Sequence, residues 1–121
     1  TMKAREPEDT RWPEGEAPRF GLKTRSFQLL INAIEARPEI RRAIIFGSRA
    51  MGNAKQGSDI DLAIEGPQVT EWTAEELSRE LNERLPIPYY TDVVVYHSGT
   101  HDHLHGHIDT EGEELFRREE G

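Results

Sequence analysis

Gly47-Ser48-Arg49-Ala50-Met51-Gly52-Asn53-Ala54-Lys55-Gln56-Gly57-Ser58-Asp59-Ile60-Asp61-Leu62 is the stretch on which the fold turns. Before it stands the apolar run Ala43-Ile44-Ile45-Phe46, which reads as a buried strand ended by Gly47. A residue without a side chain lets a ligand approach the backbone closely. Ser48 then offers a hydroxyl and an amide at the start of a short helical turn, and amides in that position favour anions, so the corner suits a phosphate. After ten intervening residues come Asp59 and Asp61, at i and i+2 of a strand. That spacing puts both carboxylates on one face with Ala63, and Ile60, Leu62 and Ile64 on the other. Side-by-side carboxylates repel unless a cation lies between them. Magnesium takes one or two carboxylates together with substrate phosphate oxygens, which matches a phosphate corner facing an Asp pair. A plain turn followed by a wet sheet face would explain either piece alone, but not their joint spacing.

Outward from this stretch the elements alternate. Phe27, Leu30, Ile31 and Ile34 make the stripe of an amphipathic helix that stops before Pro38. Downstream, Thr73 with Glu76 reads as a capping box, and Leu77, Leu81 and Leu85 stripe the helix that follows, closed by Pro86 and Pro88. Thr91 to Tyr96, rich in Val and Tyr, reads as a third strand, and Asp92 near its start brings a third carboxylate if the strands are neighbours. His101 to about Thr110 reads as helical, and Glu113 to Arg117 as a last short strand or a fraying helix. The expected fold class is α/β: a small mixed β-sheet flanked by helices. Residues 1–20, with Pro7, Pro13 and Pro18 and no period, read as a flexible arm, leaving 21–121 as the folded domain.

The chain has 121 residues, which fits one domain. Fifteen Lys and Arg against twenty-three Asp and Glu give a net charge of −8, and the pI is near 5.1. That sign argues against a nucleic-acid clamp and against docking on anionic lipid. Cysteine is absent, so disulfides, thiolate nucleophiles and Cys-ligated zinc are excluded. No apolar stretch approaches a membrane span and no signal-peptide core is visible, so a cytoplasmic location is expected.

Phe46-Gly-Ser-Arg-Ala-Met-Gly, then Gly57-Ser-Asp-Ile-Asp-Leu-Ala-Ile64, resembles the signature of the DNA polymerase β-like nucleotidyltransferase superfamily, and in particular its minimal nucleotidyltransferase (MNT) branch. The resemblance spans about residues 24–118. It implies the nucleotidyltransferase fold, with Asp59, Asp61 and Asp92 as catalytic and metal-holding carboxylates. Asp92 would orient or deprotonate the incoming hydroxyl. Gly47 and Ser48 would hold the nucleotide triphosphate, with Arg49 or Lys55 as the cation that meets it. ATP would be the substrate, and two Mg2+ ions would act during catalysis. The implied reaction moves AMP from ATP to an acceptor hydroxyl. MNT proteins are commonly encoded beside a HEPN-domain partner as the antitoxin half of a pair, in characterised cases by adenylylating a tyrosine of the toxin. Two rival readings stand beside it. One is an antitoxin that neutralises by complex formation with an idle site. The other is a small-molecule nucleotidyltransferase, for which a homo-oligomer could build the acceptor pocket between subunits.

His101, His103, His105 and His107 alternate in the last helical segment; on a helix His101 with His105 and His103 with His107 would be i, i+4 pairs able to share zinc, and on a strand all four would face one way. The blander reading, a solvated or partner-facing helix surface rich in His, is preferred because no third and fourth ligand is evident. Tyr89, Tyr90 and Tyr96 read as half-buried packing before they read as acceptors of self-modification. Trp72 reads as core edge or interface, and Glu75, Glu76, Glu80 and Glu83 as a solvated helix face with Arg79 and Arg84 placed for weak ion pairs.

Overall fold

The computed structural model describes Phe20 and residues 22–51, 58–97 and 102–118. Apart from Phe20, the arm expected over 1–20 lies outside the described residues, as does Lys55. Phe20 itself is half-buried and stacks on Phe27, with ring centroids 6.3 Å apart. Among the described residues four α-helices and four strands follow: α1 (Thr24–Glu35), β1 (Arg42–Phe46), α2 (Ser48–Met51), β2 (Ile60–Glu65), α3 (Glu71–Arg79), β3 (Thr91–Val95), α4 (His103–Glu111) and β4 (Glu113–Arg117). Glu113–Arg117 is thus a strand, the first of the two readings open at that segment.

The strands form one mixed sheet in the order β3-β2-β1-β4. β1 runs antiparallel to both β2 and β4, whereas β2 and β3 are parallel and joined through α3. Register fixes which side chains share a face. Phe46, Asp61 and Asp92 are cross-strand neighbours, the row Ile44, Ala63 and Val94 lies two residues along on the same face, and Ile45, Leu62 and Val93 point the other way. The second face carries the main core, in which Leu30, Ile34, Ile45, Ile60, Leu62 and Leu77 are each fully buried. Those side chains come from α1, α3 and alternate positions of the strands, as the sequence stripes require.

The alternative of a wet sheet face, set aside above, holds only in part. The face bearing Asp59 and Asp61 is not a wet surface along its whole length, because α4 lies on its far end. Ile108 joins Ile44, Phe46, Ala63 and Tyr96 in a second apolar cluster, and Gly112 packs so closely on Ile44 that an added Cβ would stand 2.6 Å from Ile44 Cγ2. Beyond that cluster Arg42 pairs with Glu65 (2.9 Å) and Glu114 (3.0 Å).

The start of the third helix is also corrected. Its N-cap is Thr70, and the reciprocal box joins Thr70 and Thr73, not Thr73 and Glu76. Thr73 therefore sits at N3, where its hydroxyl takes the place of the Glu or Gln of the usual box. Glu76 instead receives Arg79 at 2.6 Å. At its other end the helix widens into a π-turn over Glu80–Arg84, closed by the bond from Leu85 N–H to Glu80 O (3.1 Å).

Candidate active site

Gly47 ends β1 with φ +77°, a backbone conformation that L side chains rarely adopt. A Cβ added there would stand 2.5 Å from Asp61 Oδ2, so the missing side chain is what makes room for the carboxylate. Ser48 opens α2 immediately after it. Across the sheet Asp61 is in register with Asp92, its parallel neighbour on β3, and Asp59 lies two residues before Asp61. The structure therefore brings Gly47, Ser48 and all three carboxylates to one end of one sheet face. The topological condition set on Asp92, that its strand neighbour the Asp59–Asp61 strand, is met.

Their environments differ. Asp59 and Asp92 are exposed and Asp61 is half-buried. Burial, then the charges of Asp92 and Asp59, hold the Asp61 carboxyl above the usual carboxylate range. A divalent cation reverses that penalty, and hard oxygen donors beside a corner free of side chains suit magnesium with a bound phosphate. Among the described residues no three His, Asp or Glu side chains already form a chelate. A site completed by nucleotide oxygens needs only one or two protein carboxylates.

Arg49, one of the two cations expected at the phosphate, has its guanidinium engaged by backbone carbonyls. It is 3% exposed. Its Nε and one terminal nitrogen donate to Ser58 O (3.1 and 2.6 Å), and the other donates to Phe20 O (2.9 Å). The guanidinium also lies over the Tyr89 ring, 4.6 Å from its centroid. Planar, forked donors can join two carbonyls in this way. Arg49 thus ties the residue preceding Asp59 to the chain entering α1.

Among the described histidines, His105 has both ring nitrogens engaged. His105 is buried; its Nε2 accepts from His97 N–H (3.0 Å), so Nδ1 carries the proton and donates to Asp102 (2.8 Å). Asp102 caps α4 through His105 N–H, which with the side-chain bond holds its carboxyl below the usual range. His103 and His107 meet edge to face at 4.5 Å on the exposed side, and His101 lies outside the described residues. Tyr96 is buried and donates to Asp109 (2.5 Å), Tyr89 lies under Arg49, and Tyr90 is 57% exposed. Trp72, 65% exposed, is not a core-edge residue. An open groove of about 300 Å³ lies between α3 and the outer edge of β3, lined by Glu71, Glu75, Ser78, Asn82, Tyr90 and Val93 among others, but by none of Asp59, Asp61 and Asp92.

Sequence reasoning passed over one residue near this site. Asn82, on the π-turn, brackets the backbone of Thr91, the residue before Asp92. An Asn within a Leu-striped segment is a weak signal by itself, since nothing local tells which backbone it reaches.

Several solved structures share this fold. A chain of a toxin–antitoxin complex with AMP-PNP superposes with a TM-score of 0.61 at 22% identity, over 75% of this chain and 73% of that one. A chain of a mutant of the toxin–antitoxin MntA-HpeT gives 0.60 at 20% identity, over 75% and 73%. A chain from the complex of a tri-AMPylated Shewanella oneidensis HEPN toxin with MNT antitoxin gives 0.56 at 20% identity, over 76% and 70%. A comparison with curated protein sequences returns no match. The model of the family described as "Polymerase beta, Nucleotidyltransferase" matches residues 28–121, which include Gly47, Ser48 and the three in-register or adjacent carboxylates. With that match and this sheet, the chain belongs to the polymerase β nucleotidyltransferase family.

Proposed function

We propose that the chain is a magnesium-dependent enzyme that moves AMP from ATP to a hydroxyl of a HEPN-domain protein in the cytoplasm, and so acts as the antitoxin of a pair. The observation that carries this reading is the pairing of Asp61 with Asp92 across parallel strands, with Asp59 two residues upstream and side-chain-free Gly47 against Asp61. Asp59 and Asp61 would hold the metal, with Asp92 as the third carboxylate. When bound, magnesium would supply charge neutralisation along the triphosphate and at the reacting phosphorus.

The chain's own residues divide the remaining work. Gly47 leaves the approach to Asp61 open, and Ser48 offers its hydroxyl and amide to the triphosphate. Lys55 is the cation left for that tail, because the Arg49 guanidinium is committed to two carbonyls. Asp92, exposed at the sheet edge, can accept the proton of an incoming hydroxyl. The hydroxyl oxygen then bonds to the α-phosphorus as the bond to pyrophosphate breaks. An acceptor approaching an exposed Asp92 need not enter an enclosed pocket, which suits a segment of another protein. An acidic chain, net −8, also favours a partner with a basic face. Solved structures that share the fold include a toxin–antitoxin complex with AMP-PNP and an AMPylated HEPN toxin with its MNT antitoxin, in line with the reading.

The test is incorporation of labelled AMP in the presence of magnesium, with the HEPN-domain partner, with an unrelated basic protein, and without acceptor. Transfer to the partner alone is expected, falling as salt rises, and absent from an Asp59→Ala, Asp61→Ala double variant. Equal rates in all three mixtures would remove the partner as substrate and favour a small-molecule acceptor. Tight complex formation without transfer would identify an idle site.

A further inference from the structure

Thr91 begins the edge strand of the sheet, and its neighbours tie that strand inward: Ile60 N–H donates to Tyr90 O at 2.8 Å, and Thr91 stands opposite Ile60 in the parallel register. In a parallel pair the peptide groups of the residue so placed point to the other side, where no strand follows among the described residues. Asn82 fills that gap. Its Oδ1 accepts from Thr91 N–H (2.8 Å), and its Nδ2 donates to Thr91 O (2.9 Å), the same donor and acceptor pair a further strand would offer. Nδ2 also donates to Ser78 Oγ (3.1 Å), one turn back on α3. Asn82 lies within the π-turn. The bond from Leu85 N–H to Glu80 O closes over five residues, and such turns occur often at functional sites.

We infer that Asn82 is a positioning residue for Asp92: by clamping both backbone groups of Thr91 it holds the next residue's carboxylate in register with Asp61. The inference rests on the reading of Asp92 as the third carboxylate. Strand ends at a sheet edge fray readily, because half of their peptide groups lack partners. Thr91 is fully buried, so its outward N–H and C=O have no water to fall back on. With the clamp in place, Asp92 is anchored from both sides of its strand. Without it, the start of β3 is held by β2 alone, and a displacement on the order of 1 Å is enough to cost about a hundredfold in rate.

Two variants separate this from a merely structural role. Asn82→Ala removes both bonds, and Asn82→Asp keeps the shape and the acceptor for Thr91 N–H but loses the donor to Thr91 O. Each is combined with Asp92→Asn, and AMP transfer is measured below the melting temperature of every variant, with backbone amide exchange followed by NMR. The expected result is a fall in kcat of about ten- to a hundredfold for Asn82→Ala, a fall at least as large for Asn82→Asp, whose second oxygen would face the Thr91 carbonyl, and KM for ATP within about twofold. Faster exchange at Thr91 N–H is expected in Asn82→Ala. The double variants should be no slower than Asp92→Asn alone, because Asn82 acts through that residue. Full kcat in Asn82→Ala, or additive losses in the double variants, overturns the inference. Full activity of Asp92→Asn by itself instead overturns the assignment of Asp92, and the amide exchange still reports whether the clamp exists.

Discussion

Replacing Gly47 by Ala tests the closest approach in the site. The residue has φ +77°, and an L side chain in the left-handed region costs about 1–2 kcal/mol. The new Cβ would also meet Asp61 Oδ2 at 2.5 Å, where ordinary van der Waals contact begins at 3.4 Å, so the carboxylate must retreat by about 0.9 Å. Asp61 stands on a central strand between Phe46 and Asp92, so the retreat has to come from its side chain. For a domain of this size about 1–2 kcal/mol lowers Tm by about 4–16 °C. A misplacement of that length in a reacting constellation lowers transfer by about a hundredfold. The control is the same substitution at Gly106, inside α4 and with nothing within 4 Å of its added Cβ. There Ala should stabilise by about 0.5–1 kcal/mol, since glycine is the poorer helix former. Thermal melts followed by circular dichroism, with AMP incorporation on the same samples, read both effects. A Gly47→Ala protein that melts within about 2 °C of the parent and transfers AMP at the parental rate would refute the argument.

Asp61 makes stability depend on pH in a direction that can be stated. Its carboxyl is raised in the folded state by burial and by Asp92 and Asp59, so its contribution is complete below the unfolded value of about 4 and is lost as pH rises through the folded one. In EDTA, Asp61→Asn should therefore raise Tm at about pH 7.5 and change it little at about pH 4; equal shifts at both would show that charge repulsion is not the cause. Arg49→Lys keeps the charge but cannot serve Phe20 O and Ser58 O together. It should cost about 1–3 kcal/mol in urea unfolding, through a carbonyl left without its donor, and a change under about 0.5 kcal/mol would mean those bonds contribute nothing.

The sequence by itself determined most of the elements and the candidate carboxylates. Phe27, Leu30 and Ile34 at helical spacing, the run Ala43–Phe46, and the alternation through Ile60, Leu62 and Ile64 are local patterns, and burial of one stripe or one face follows from them. The pairing of Gly47-Ser48 with Asp59 and Asp61 was legible for the same reason: both ends lie within fifteen residues, and strand geometry alone puts the two carboxylates on one side. Where the local pattern was ambiguous it misled by one turn, as at Thr73, because Thr70 offers an equally good cap three residues earlier.

What joins residues far apart in the chain was decided only by tertiary structure. No periodicity tells that Asp92 stands opposite Asp61, since register between strands thirty residues apart is set by packing of the whole sheet. Nor does it tell that α4 covers the far end of the carboxylate face, that His105 is a buried clamp on His97, or that Asn82 completes the edge of β3. Arg49 shows the reason most plainly. Beside a phosphate corner an arginine reads as an anion ligand, because its charge is a property of the residue. Its partners are two backbone carbonyls and an aromatic ring, from Phe20, Ser58 and Tyr89, and these become neighbours only once the chain has folded.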